Sequence, residues 1–149
     1  MNDKALGKLS DAPRDDRLNA ADDRLKLPRG AFIAFRQSGG LRFSTREVIV
    51  YNDGRVITRH QGKLGAGEAA RHMTLDEVSD LKTLIEQSGL REHPRSIGRP
   101  NPDGYAYELI ARMGRKSKAI EFFDGSIPSE VQPVLSRLKK LSTTDDAAE

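Results

Sequence analysis

The sequence predicts an α+β domain, a two-layer sandwich in which an antiparallel sheet of four or five strands carries two amphipathic helices on one face. Three observations carry this expectation. Short runs rich in β-branched and aromatic residues recur over 31–60 and 105–125. Asp53-Gly54 divides two of those runs with the dipeptide that a two-residue hairpin favours. Segments 74–89 and 133–142 space their apolar residues at the helical period. Hairpin connections imply antiparallel strands, and two amphipathic helices suffice to cover one face.

The elements follow in order. Residues 31–37, AFIAFRQ, read as the first strand, and 42–52, RFSTREVIVYN, as a longer second one. In a regular pleat Phe43, Thr45, Ile49 and Tyr51 share one face of the second strand, and Val48 and Val50 take the other. RVITRH, residues 55–60, is the third strand, and the glycine-rich run 61–73 reads as a polar connection. The first helix is announced by Thr74 and Glu77 at the spacing of a capping box, and Gly89 ends it at the C′ position. Leu75, Val78, Leu81, Leu84 and Ile85 form its apolar stripe. Three prolines and two glycines make 90–104 a long loop. YAYELIARM then places Tyr105, Tyr107, Leu109 and Ala111 on one face of a fourth strand, and KAIEFFDG supplies a fifth. Pro133 lacks the N–H that a helix interior needs, so a turn over 128–131 should precede a helix over 133–142, buried through Val134, Leu135, Leu138 and Leu141.

Composition bounds the function. Residues 1–29 hold six acids and seven bases with few large apolar side chains, and read as a flexible charged arm. RLNAADDRLKL within the arm has the character of a short helix laid on a partner. The folded body is expected over 30–142, with a disordered tail over 143–149. Cysteine is absent, which removes disulfides, thiol nucleophiles and cysteine metal sites. No run approaches the roughly 20 apolar residues of a membrane helix, and no apolar leader is visible. A cytoplasmic protein without membrane contact is the expectation.

No segment assembles a catalytic kit. The paired Gly39-Gly40 lacks the Lys-Ser/Thr ending of a phosphate loop. It reads as a hairpin or bulge needing unusual φ, or as a loop that lets a partner approach the backbone closely. GAGEAA, residues 65–70, matches a dinucleotide fingerprint by letter but is not expected between a parallel strand and a helix. His60, His72 and His93 have no metal-binding spacing. Glu108 and Glu121 lie in strands, where cross-strand pairing with Arg or Lys is the simplest account. Arg112, Arg115, Lys116 and Lys118 cluster at the last hairpin and, with Arg91, Arg95 and Arg99, could form a positive edge. Nucleic-acid modules usually add stacking aromatics or a recognition helix, and aromatic residues make up only 5% of this chain.

The order of short motifs resembles the emfourin family of small bacterial proteins. These are RQSGGL, VIVYNDGRV, VSDLKTLIEQSG, DGYAYEL and FFDGSIPSEVQPVLSRL, the last containing Asp124, Pro128, Pro133, Val134 and Leu135. The likeness spans about 31–142. It implies a non-catalytic protein-binding module that inhibits a thermolysin-like metalloprotease by filling a cleft with a preorganised loop. Ser38, Gly39, Gly40, Leu41 and Arg42 are the expected contact loop, and Arg95, Arg99 and Asn101 a second candidate surface. No catalytic residue, cofactor or metal is expected. The alternative partner is a nucleic acid or another polyanion, held by the basic hairpin and the arm.

Overall fold

The computed structural model describes residues 25–40, 44–62 and 65–147, the last five as backbone only. Seven strands form one sheet: β1 (Ala31–Gly39), β2 (Ser44–Tyr51), β3 (Arg55–Gly62), β4 (Gly65–His72), β5 (Ser96–Ile97), β6 (Tyr105–Met113) and β7 (Lys116–Phe123). Their spatial order is β4-β3-β2-β1-β6-β7-β5. The helices are α1 (Leu75–Gln87) and α2 (Gln132–Ala147), with a 3-10 turn over Leu90–Glu92.

The α+β class and the two helices match the sequence expectation, and the strand count and purely antiparallel pairing do not. Two strands escape sequence reading for different reasons. The run taken as a connection contains β4, which pairs antiparallel with all of β3. It is an edge strand of Gly, Ala and charged residues, with no large apolar side chain to mark it. Within the long loop, Ser96–Ile97 adds to β7 in parallel, and this makes the sheet mixed. Two residues carry no periodicity.

One face of the sheet carries the core. Ile33, Phe35, Val48, Val50, Val56, Leu109, Ala111, Ile120 and Phe122 pack with Val78, Leu81 and Ile85 of α1 and Val134, Leu135, Leu138 and Leu141 of α2. Each fully buried Leu, Ile or Phe contributes about 1.5–3 kcal/mol of hydrophobic stabilisation. Helix α1 starts on the expected capping box. The Glu77 amide donates to Thr74 Oγ1 at 3.1 Å, and the Thr74 amide donates to Glu77 Oε1 at 2.8 Å. These bonds hold the Glu77 carboxyl below its usual range. Leu75 departs from the expected stripe and is 70% exposed. It sits about 80° around the helix from Ile85, off the buried face. Pro128 to Val131 form the expected turn, closed by the Val131 amide donating to the Pro128 carbonyl at 3.0 Å.

The second face has two rows readable from register. Ala119, Ile110, Ala34, Ile49, Ile57 and Ala70 are directly opposed across β7, β6, β1, β2, β3 and β4. The next row toward the β1 C-terminus is Glu121, Glu108, Arg36, Glu47, Arg59 and Glu68. Arg36 bridges Glu47 at 2.8 Å and Glu108 at 3.1 Å, and Arg59 joins Glu68 at 2.9 Å. Glu108 thus pairs across the sheet as expected, whereas Glu121 makes no ion pair among the described residues. Leu25 is buried against Ala31, Ala34 and Ile49 on this face, with Leu27, Tyr51 and Ile110 packed around them. Part of the stretch read as arm therefore rests on the sheet.

Candidate functional site

The paired glycines end β1 at one edge of the sandwich, and their backbone is shaped by what lies beside them. Gly39 has φ +119°, and a Cβ there would stand 2.5 Å from the Gly104 carbonyl oxygen. Gly40 has φ +83°, and its Cβ would meet the Tyr105 hydroxyl at 3.0 Å and the ring at 3.1–3.2 Å. The Gly40 amide donates to the Gly104 carbonyl at 3.1 Å. Both positions need glycine for conformation and for room. The pair is a backbone-to-backbone fit between the β1 tip and the start of β6.

The partner half of that fit is itself tied down. The Asp103 amide donates to Asn101 Oδ1 at 3.1 Å, and the Gly104 amide donates to the Asn101 carbonyl at 2.9 Å. This Asx-type turn delivers Gly104 to Gly40. Asp124, just after β7, binds the next residues with both oxygens. Its Oδ2 accepts the Tyr105 amide at 2.7 Å, and its Oδ1 accepts the Tyr107 hydroxyl at 2.7 Å. The Asp124 amide in turn donates to the Tyr105 carbonyl at 3.1 Å. Burial, and then the Asp124 carboxylate beside it, push the Tyr107 hydroxyl above the ordinary tyrosine range. The Tyr107 ring stacks on Phe35 at 6.2 Å, and Lys139 Nζ stands 4.6 Å over it.

The expected contact residues divide. Ser38, Gly39 and Gly40 form the β1 tip, and Asn101 reaches it through Gly104. Arg99 is exposed in the same loop. Arg95 precedes β5 at the outer margin of the sheet, and its carbonyl accepts the Glu121 amide at 2.7 Å. Three strand spacings, about 14 Å, separate that margin from β1. Arg95 therefore does not join the tip. Leu41 and Arg42 lie outside the described residues. Sequence reading missed Gly104, Tyr105 and Asp124 as members of the site. The Asn-Pro-Asp-Gly run ahead of Tyr105 signalled a turn, but its neighbour across the sheet was not legible.

The other chemical candidates resolve by position. GAGEAA is antiparallel edge strand β4, so it has no phosphate-binding turn opening a helix. His60 lies in β3, His72 ends β4 and His93 follows the 3-10 turn. His93 Nε2 approaches Glu130 at 3.2 Å without hydrogen-bond geometry. No group of three or more His, Cys, Asp or Glu among the described residues is placed to hold a metal ion. Among them, no helix is long and apolar enough to cross a membrane.

At the opposite end of the sheet, Arg91, Arg115, Lys116 and Lys118 line a shallow pocket of about 560 Å³ that has no acidic residue in its wall. A neighbouring pocket of about 590 Å³ adds Lys82 and Arg112 to Phe32, Ile85 and Leu90, with Glu86 and Glu92 also in its wall. No protein-family model matches the sequence, and neither does any curated protein.

Proposed function

We propose that the chain is a non-catalytic protein-binding module that offers the Ser38–Gly40 tip to a partner's cleft. The observation that carries this reading is the Gly40–Gly104 contact, braced by both carboxylate oxygens of Asp124. A bend ordered during folding loses little further entropy on binding, which suits an inhibitor that fills a cleft. The motif resemblance to emfourin supplies the partner class, a thermolysin-like metalloprotease.

Titration of the purified chain into a thermolysin-type peptidase assay tests this reading. Stoichiometric loss of activity is expected, with Ser38→Trp and Arg99→Glu each weakening inhibition at least about tenfold, or ~1.4 kcal/mol. Gly39→Trp is a poor probe of contact, because any side chain there strains the bend itself. No inhibition of any thermolysin-like enzyme would refute the partner class. Inhibition indifferent to both variants would refute the tip.

A second reading is favoured by the acid-free wall of Arg91, Arg115, Lys116 and Lys118. There the module would hold a polyanion such as a nucleic acid. Anisotropy of a labelled oligonucleotide against salt separates the two: polyanion binding falls steeply as salt rises, and cleft insertion does not.

A further inference from the structure

Among the described residues, the apolar row on the second face of the sheet is covered only in its middle. Leu25 is seated on Ala34 and Ile49, while Ala119 and Ala70 at its ends are exposed and Ile57 and Ile110 half-buried. From the register, the geometry points to the chain's own residues 14–24 as the missing cover, running as a helix from Leu25 outward over β6 and β7.

Four observations converge on that occupant. The first is continuity: the segment leads directly into Leu25 and Leu27, which already lie on this face. The second is periodicity. Leu18, Ala21 and Leu25 are spaced three and four apart, one face of a helix. Pro13 and the acids Asp15 and Asp16 suit a helix start.

The third is reach. The seven residues from Leu25 back to Leu18 rise about 10 Å in a helix. The two strand spacings from β1 through β6 to β7 measure about 9.6 Å. With Leu25 over Ala34, Ala21 falls over Ile110 and Leu18 over Ala119, following the strand order.

The fourth is charge, with its handedness. The Gly40 amide points to β6. With L-residues, an observer facing this side with β1 running upward therefore sees β6 and β7 to the right. The Glu121–Glu108 row lies above the apolar row. In a right-handed helix running from β7 to β1, with its apolar stripe down, Arg17 and Arg24 fall on the upper flank. Asp15 and Asp22 fall on the lower one. Arg17 thus meets Glu121, which lacks an ion pair among the described residues, and both aspartates stay clear of the acidic row. A helix running the same distance over β2 and β3 instead reverses both flanks and sets Asp22 beside Glu47. The arm is on this account a third layer over half of the sheet.

The chain has no cysteine, so a pair can be introduced cleanly into the full-length protein. Leu18→Cys with Ala119→Cys, and Leu18→Cys with Ile57→Cys, both leave the helix-side core untouched. Under mild oxidation an intramolecular disulfide is expected at least about tenfold faster for 18/119 than for 18/57, since docking raises the local thiol concentration. Arg17→Glu with Arg24→Glu should abolish that preference. Hydrogen exchange of the unmodified chain provides a readout without cysteines, with amides 17–24 slowed at least about tenfold relative to free peptide. Equal rates for the two pairs, a faster 18/57 bond, disulfides only between molecules, or unprotected amides would each overturn the proposal.

Discussion

Replacing Asp124 with alanine removes the acceptor of two short hydrogen bonds, from the Tyr105 amide and the Tyr107 hydroxyl, each at 2.7 Å. A hydrogen bond to a charged group is worth about 1.5–3 kcal/mol net, and a buried donor left unpaired costs about 1–3 kcal/mol. Tyr107 is 3% exposed, so water does not readily replace its partner. The Tyr105 amide is nearer the surface and recovers part of its loss from solvent. The sum is about 3 kcal/mol for Asp124→Ala. With a urea m-value of about 1.5 kcal/mol/M, the midpoint should fall by about 2 M at unchanged slope. A double-mutant cycle with Tyr107→Phe isolates the hydroxyl bond. Tyr107→Phe alone should be destabilising, but close to neutral or favourable in the alanine background, where it deletes an unpaired donor. The coupling should reach about 1–2 kcal/mol. A loss for Asp124→Ala within about 0.5 kcal/mol, the range of ordinary surface changes, or strict additivity in the cycle, would refute the view that this carboxylate braces the tip.

Because the folded protein holds the Tyr107 proton above the ordinary tyrosine pKa, the native state binds more protons than the unfolded chain at high pH. Its stabilisation is complete below about pH 10 and declines as pH rises beyond it. Spectrophotometric titration should therefore find a late tyrosine step that Tyr107→Phe removes. Gly39→Ala and Gly114→Ala both force a side chain to positive φ, but Gly39 also faces a carbonyl oxygen at 2.5 Å while Gly114 has open space. Denaturation midpoints should register about 1 kcal/mol for Gly114 and at least about 2 kcal/mol for Gly39; equal losses would count against the close fit. Arg36→Ala leaves Glu108, 33% exposed, without its ion-pair partner, and leaves Glu47, 17% exposed, only the longer contact to Arg59 at 3.7 Å. It should cost about 1–2 kcal/mol, against about 0.5 kcal/mol for truncating the more exposed Arg59–Glu68 pair.

What could be read from the residues tracks how local each signal is. The faces of β2 from Thr45 onward and of β6, the capping box at Thr74, the stop at Gly89 and the buried stripe of α2 depend on spacing within one segment, and match; Phe43 lies outside the described residues. Leu75 misled because the first residue of a helix can carry an apolar side chain without facing the core. Strand β4 was hidden because its place depends on the free edge of β3 and not on any apolar pattern of its own. The glycine pair was legible as a special backbone, but the reason for it was not. That reason is Gly104, some 65 residues further on.

From its residues alone, then, this chain was committed to an α+β body with two amphipathic helices, since hydrophobic period and turn chemistry act within a few neighbouring positions. Tertiary structure decided what lies beside what: seven strands instead of four or five, Gly40 against Gly104, Asp124 beneath two tyrosines, and an apolar row ending in open alanines. Those relations are between distant segments, and only the pairing of strands sets their register.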